Sequence, residues 1–283
     1  MPTLTVSDQT SIYYEDLGDG RPIVFIAGGG ATHALWGQQV VSLADDFRTI
    51  TYDHRGCGRS DVPRDGYTVD RLADDLAELV SGLSLQDATF VSHGFGGHIL
   101  LRALHRYPRL GARAILCAAA PWYVGDKDGA IGGFSDDFLA ALNAGTTRNF
   151  AQAQWDIVEN WLYDREPELA TKIAALVDGI SWSAYARKKL SQDLEKVDHR
   201  PYLSQITQPV LVVHGVHDRK NRFEGSELLV SLLPDARLIR FENSAHALFA
   251  DERELFNVTI AQFSRADGGA AAPPREAPLS PGR

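Results

Sequence analysis

Three short stretches of this 283-residue chain hold side chains that could do chemistry at a strand end. VSHGFGGHI, Val91 to Ile99, runs out of an apolar segment into a turn with small residues, Ser92 and Gly96, on either side of Gly94. VLVVHGVHD, Val210 to Asp218, ends another apolar segment in a carboxylate, and ENSAHAL, Glu242 to Leu248, sets His246 among small residues. An imidazole oriented by a carboxylate can abstract a proton or activate water. A fourth stretch, AGGGA (Ala27 to Ala31), has no reactive side chain, but it follows a strand-like run directly. Backbone N–H groups in such a turn, or opening a helix, suit a developing negative charge.

The elements that must hold these stretches alternate. Ser11 to Glu15, Ile23 to Ala27, Phe47 to Asp53, Ala88 to Ser92, Ala112 to Cys117, Pro209 to His214 and Ala236 to Phe241 read as strands. Leu35 to Asp45, Val69 to Leu83, Phe95 to Tyr107, Phe223 to Leu233 and Asp251 to Ala266 read as helices; Leu72, Leu76, Leu79, Val80 and Leu83 have helical spacing. Such alternation predicts an α/β fold, a mostly parallel sheet with helices on both faces. Pro121 to about Ser204 breaks the rhythm with consecutive helices rich in aromatics. The expected organisation is a core over 1–120 and 205–266, a helical cap over 121–204, and a disordered Ala-, Pro- and Gly-rich tail over 267–283.

With those elements in place, the ordered set of motifs resembles the α/β-hydrolase superfamily, and within it the non-heme chloroperoxidase and esterase branch. A strand and glycine turn come first. A DxRGxGxS turn follows, matched by Asp53, Arg55, Gly56, Gly58 and Ser60, and then the Ser92–Gly96 elbow, the cap, HGxxD and a late histidine. The resemblance covers about Ile12 to Phe263. It implies that Asp218 is the triad acid and His246 the triad base, in the chain order usual for this fold. It also implies an oxyanion site built from the backbone N–H groups of Gly29 and Phe95. The family's common His-Gly pair before that donor reads Ala27-Gly28 here. Gly28 and the cap aromatics Trp122, Tyr123, Trp155 and Trp182 are the expected pocket wall, the other cap aromatics packing among themselves. His33, His54, His93, His214 and His217 are expected near the same sheet edge, with His93 as packing.

The family's nucleophile position is Gly94, which has no side chain. Glycine suits a strained elbow because positive φ costs it little, so the turn is expected to survive without its hydroxyl. No acyl-enzyme can form there. Ser92 is expected to be buried along its strand, and Cys57 lies on another loop without an evident base. The reading that follows is an enzyme using a His246–Asp218 general base and an oxyanion site on a small apolar carbonyl or hydroxyl substrate. Lyase, cyclase, dehydratase or water-mediated hydrolysis chemistry would fit. Two alternatives stand beside it: a serine esterase or lactonase inactivated by glycine at position 94, and a non-catalytic small-molecule binder of the N-myc downstream-regulated kind. After Asp218 the chain runs RKNRF, where relatives have apolar residues and a proline. Arg219, Lys220 and Arg222 read as a solvated loop or as attraction for an anionic substrate at the rim.

Composition bounds the rest. A net charge of −9 argues against general nucleic-acid binding. Two cysteines, Cys57 and Cys117, form neither a disulfide framework nor a metal-ligand cluster, so no metal is expected. No cofactor is expected either. The N-terminus lacks a signal-peptide pattern and no apolar run has the length of a membrane span, so the expectation is a cytoplasmic protein without a membrane partner. A homo-oligomer is compatible with the sequence.

Overall fold

The computed structural model describes residues 2–134 and 181–266, together with residues 149, 152, 155, 162 and 163. Eight strands form one sheet in the order β1-β2-β4-β3-β5-β6-β7-β8. They are β1 (Thr3–Thr5), β2 (Ser11–Leu17), β3 (Pro22–Ile26), β4 (Arg48–Tyr52), β5 (Thr89–His93), β6 (Arg113–Cys117), β7 (Val210–Gly215) and β8 (Ala236–Phe241). The β1–β2 and β2–β4 pairs are antiparallel and the other pairs parallel. The described helices are α1 (Gly37–Leu43), α2 (Val69–Gly82), α3 (Phe95–Arg106), α4 (Ala184–Leu194), α5 (Phe223–Leu232), α6 (Leu248–Asp251) and α7 (Arg253–Arg265), with short 3₁₀ turns at His33–Trp36 and Arg200–Gln205.

The central strands are apolar runs because both of their faces are covered. Along β3, Val24 and Ile26 enter one hydrophobic cluster, while Ile23 and Phe25 enter the other. On the first side, α2 presents Leu72, Leu76, Leu79 and Val80 to the sheet. Thr68 caps it, its side chain accepting the Arg71 N–H, and such a cap contributes about 1 kcal/mol. On the second side, Trp36 packs between Phe25, Phe249 and Phe256.

Three features differ from the sequence reading. The short edge strand β1 escapes it, the expected helix over 35–45 divides into a 3₁₀ turn and α1, and the short helix α6 precedes the expected last helix. About half of the expected cap and all of the expected tail lie outside the described residues.

Register brings the chemistry-bearing turns to one edge. Ser92 of β5 lies level with Ile26 of β3 and Leu116 of β6, so the elbow emerges beside the glycine turn. Val213 of β7 lies level with Cys117, which delivers Asp218 to the same carboxyl edge. In open α/β sheets that edge is where ligands bind.

The DxRGxGxS turn braces this edge. Buried Arg55 holds Asp75 with two parallel bonds of 2.6 and 2.7 Å and reaches Asp8 at 2.8 Å. Asp53 accepts the His33 N–H at 2.7 Å and the Arg59 N–H at 2.8 Å, which ties the loop after the glycine turn to β4. Ser60 donates to the Asp53 carbonyl at 2.6 Å and accepts the Tyr13 N–H at 2.9 Å. The returning insertion docks here as well, with Ser183 N–H donating to the Gly56 carbonyl at 2.8 Å and Gly58 N–H to the Ser181 carbonyl at 3.0 Å.

A second tie joins the insertion to α3. His98 Nδ1 lies 2.9 Å from His199 Nε2, and His199 in turn pairs with the Tyr202 hydroxyl. The His199 N–H donates to the Pro121 carbonyl at 2.9 Å. Burial pushes His98 down to about 3, so this pair is neutral.

Candidate active site

Gly94 is the N-cap of α3 and has φ 48° and ψ −111°. That is a left-handed conformation which L side chains rarely adopt. The chain reverses there because β5 must hand over to α3 while passing close under β3. A Cβ on Gly96 would stand 2.7 Å from the Ile26 carbonyl oxygen, so the elbow's outer residue has to be glycine. The Gly94 N–H donates to the Cys117 carbonyl at 2.9 Å.

Asp218 is fixed by the loop it opens. Its Oδ1 accepts the Lys220 N–H at 2.7 Å and the Asn221 N–H at 2.9 Å. Its Oδ2 lies 2.7 Å from His246 Nδ1 and 3.0 Å from His214 Nε2. Burial opposes its charge, but His246 and His214 more than offset this and hold the carboxyl far below the usual range.

With Asp218 ionised, His246 Nδ1–H is the donor and Nε2 carries the lone pair. A Cβ on Gly94 would stand 3.3 Å from that Nε2. His246 is 1 % exposed. Burial lowers its pKa, Asp218 resists, and Lys220 and His214 add to the lowering, so the imidazole is a neutral base near pH 7. Behind it, His93 Nε2–H donates to the His246 carbonyl at 3.0 Å, and the two rings lie 4.4 Å apart. Burial first, then His246 and Lys220, keep His93 neutral.

A small, partly open cavity lies over Gly94. Its polar wall is formed by His93, His246 and Lys220, and its ring wall by Phe95, Tyr123 and Phe134. Gly28 and Gly29 close one side. A Cβ on Gly28 would meet His93 Nδ1 at 2.8 Å, and one on Gly29 would lie 3.3 Å from Phe95 Cβ. The glycine turn therefore lies directly against the start of α3. Phe95 is the first residue of that helix, where N–H groups have no intrahelical acceptor.

The residues expected from sequence thus divide. His246, Gly94, Gly28, Gly29, Phe95 and Tyr123 line one cavity, and Asp218 sits directly behind it. Trp122 and Trp182 stand outside the lining: Trp122 Nε1–H donates to the Gly125 carbonyl, and Trp182 Nε1–H to the Ala31 carbonyl at 2.9 Å. Trp155 is half-buried and not among the described lining residues. Ser92 is buried and donates to the Ile115 carbonyl at 3.2 Å, so its hydroxyl faces away from the cavity. Buried Cys57 contacts the Ala31 carbonyl at 3.4 Å, outside the lining. His54 lies 3.1 Å from the Ala27 carbonyl, behind the glycine turn. His217 is exposed against Tyr163.

Three contributors were not assigned from sequence. Phe134 is in the wall, and His214 shares Asp218 Oδ2 with His246. Lys220, read as rim or solvated loop, lines the cavity itself. The H-x-x-x-D spacing of His214 and Asp218 was the available signal for the second of these. Among the described residues, no group of three or more His, Cys, Asp or Glu side chains is placed to hold a metal, and no helix is long and apolar enough to cross a membrane.

The alpha/beta hydrolase fold model matches residues 21–253. Non-heme chloroperoxidase CPO-A1 of Kitasatospora aureofaciens is 31% identical, over 93% of this chain and 99% of that protein. Among solved structures, an esterase from Exiguobacterium antarcticum superposes with a TM-score of 0.89 at 29% identity, covering 93% of this chain and 99% of that one. A bromoperoxidase from Bacillus anthracis superposes with a TM-score of 0.86 at 26% identity, covering 91% and 96%.

Proposed function

The chain belongs to the alpha/beta hydrolase fold family of enzymes, and we propose that it acts on a small carbonyl or hydroxyl substrate through general-base chemistry without an acyl-enzyme. One observation carries the proposal. Where relatives of this fold present a nucleophile, Gly94 leaves open space 3.3 Å from His246 Nε2, while Asp218 holds Nδ1 at 2.7 Å.

In this reading His246 Nε2 takes a proton from the substrate or from a water held over Gly94. The electron pair released moves onto the substrate oxygen, which lies toward the Phe95 and Gly29 N–H groups. Each such donor is worth about 3–4 kcal/mol where its loss has been measured in a protease. The imidazolium formed is stabilised by Asp218, and it returns its proton to the leaving group or to carbon. Elimination, cyclisation, dehydration and hydrolysis by water all share this first step. The test is turnover of a panel of small aryl esters, lactones and β-hydroxy carbonyl compounds, followed by mass spectrometry, in wild type and His246→Ala. Turnover that survives His246→Ala ends the proposal.

A second reading is favoured by the backbone itself. Gly94 keeps the φ 48° conformation that a nucleophilic serine needs, which suits a serine hydrolase that has lost its hydroxyl. Gly94→Ser should then give a burst of nitrophenol from 4-nitrophenyl acetate. A Gly94→Ser variant that folds and shows no burst counts against it.

A further inference from the structure

Asp218 Oδ2 serves two histidines at once, His246 at 2.7 Å and His214 at 3.0 Å. His214 is fully buried, the last residue but one of β7, and stands four positions before the aspartate. Gly215 makes the meeting possible. A Cβ there would stand 2.2 Å from the Ala245 carbonyl oxygen and 2.4 Å from that of Ser244, so the loop that carries His246 passes directly against the strand end. The His217 N–H donates to the Ser244 carbonyl at 3.0 Å and the Val216 N–H to the Phe241 carbonyl at 3.0 Å, which holds the two loops together.

The proton positions follow from the partners. An ionised carboxylate can only accept, so each nitrogen facing Oδ2 carries hydrogen: Nδ1 in His246 and Nε2 in His214. The other nitrogen of His214, Nδ1, lies 2.7 Å from the Ser226 hydroxyl of α5, which lies 2.8 Å from the Ala119 carbonyl. A hydroxyl both donates and accepts, so Nδ1 is partnered whichever way that proton points, and Ser226 fixes the ring with Nε2 aimed at Asp218. Oδ1 is held separately, by the Lys220 and Asn221 N–H groups at 2.7 and 2.9 Å. The carboxylate therefore keeps its place without His214, and what His214 takes from it is charge.

We propose that His214 is a positioning residue that sets the strength of the His246 base through the Oδ2 they share, so that His246 stays unprotonated at a lower pH than an unshared aspartate would allow. This deepens the general-base reading and rests on it.

Asp218 favours the imidazolium of His246 because an opposite charge lies close to it. A second N–H on the same oxygen weakens that field. The direction agrees with the influences on His246: burial lowers it most, Asp218 opposes this, and Lys220 and then His214 add to the lowering. Other elements face the pair as well. Cys117 ends β6 and stays a thiol, pushed up by burial. From α5 come Ser226 and the Phe223 ring, 5.2 Å from the His214 ring. Arg240, the register neighbour of His214 on β8, lies 4.5 Å over the Phe223 ring and bonds Glu242 at 3.0 Å. Lys220 and His93 face His246. None of these groups changes when position 214 alone is replaced, so a change in His246 then reports the shared oxygen.

The test is an NMR titration of the imidazoles in the isotope-labelled full chain, which needs no substrate. In wild type, His214 should carry hydrogen on Nε2 and His246 on Nδ1 wherever His246 is neutral. His214→Leu fills the space without a donor. It should raise the pH midpoint of His246 by about one pH unit, the low end of what a close opposite charge does, and move the His246 Nδ1 proton downfield. His214→Met, which adapts more readily to a tight site, should do the same and serves if the leucine variant does not fold. His214→Gln places an amide N–H near the position of Nε2 and should return both signals toward wild type. A merely structural role would lower stability in these variants and leave His246 unmoved. Failure of the general base shows as turnover that survives His246→Ala, whereas failure of this linkage shows in the titration. A bare Nε2 on His214 in wild type, or a His246 midpoint and Nδ1 proton unchanged in the apolar variants, overturns the proposal.

Discussion

Two aspartates on the carboxyl edge of this sheet each hold a histidine Nδ1, and the two pairs differ in what lies off the second nitrogen. His246 Nδ1 is 2.7 Å from Asp218, and His33 Nδ1 is 2.8 Å from Asp53. Both aspartates are buried and both follow a parallel strand. His33 Nε2 points to Glu15 at 3.4 Å, so that ring lies between two carboxylates. Burial opposes its charge, but Asp53 and Glu15 prevail and raise its pKa. His246 Nε2 points over Gly94, and burial prevails there, helped by Lys220 and His214. The first arrangement is a clamp on the loop that follows the glycine turn. The second leaves a neutral base facing a cavity. Orientation by a carboxylate is common to both, so the dyad alone does not make a base.

The largest effect should separate the pairs outright. His246→Ala should lower turnover by about 10²–10⁴-fold, the usual contribution of a positioned general base. Asp218→Asn should cost about 10⁴-fold if the tautomer matters as it does in the Ser-His-Asp template. His33→Ala should change kcat by less than about threefold while lowering the melting temperature. Initial rates beside thermal melts decide this, and a His33→Ala rate as poor as that of His246→Ala would erase the distinction.

A glycine beside each pair sharpens the contrast. Gly94 and Gly58 both have positive φ, 48° and 54°. A Cβ on Gly94 meets only the His246 ring, at 3.3 Å, whereas one on Gly58 would stand 2.3 Å from Asp53 Oδ2. Gly94→Ser should therefore cost roughly 1–3 kcal/mol of backbone strain and still fold. Gly58→Ser adds overpacking against a buried carboxylate, for roughly 3–5 kcal/mol in all. Denaturant melts of the two variants should rank them in that order; equal losses would mean that the clamp yields more readily than its packing implies.

Much of this frame was legible in the chain because it is written locally. The strands announce themselves as short apolar runs, and the elbow as small residues about Gly94. The family resemblance singles out Asp218 and His246, each lying after a strand-like run. What was not legible depends on contacts between distant segments. Three residues, Thr3–Thr5, are too few to show a period, so β1 passed unseen. Trp122 and Trp182 suggested a pocket wall by size, yet their indole N–H groups found carbonyls at Gly125 and Ala31. Lys220 looked like one of three rim charges. The turn that Asp218 Oδ1 imposes on the chain carries it inward, and no periodicity records that.

The smallest effect is the sign of pH dependence, and it discriminates most directly between the pairs. An unfolded histidine titrates near pH 6.5. His33 is raised above that, so the stability it contributes is fully present below pH 6.5 and is lost as pH rises through its folded value. His246 is lowered, as are His93, His54, His98 and His199, and the stability that depends on their neutrality is present above pH 6.5 and lost as pH falls. The gap in melting temperature between wild type and His33→Ala should therefore be widest near pH 6, at a few degrees, and close toward pH 9. For His246→Ala the gap should close in the opposite direction, toward acid, because the variant has lost a group that wild type must protonate in order to unfold there. Melts from pH 5 to 9 on three proteins read both slopes. Parallel slopes would mean that the two imidazoles share one electrostatic environment, and the separation of clamp from base would fail.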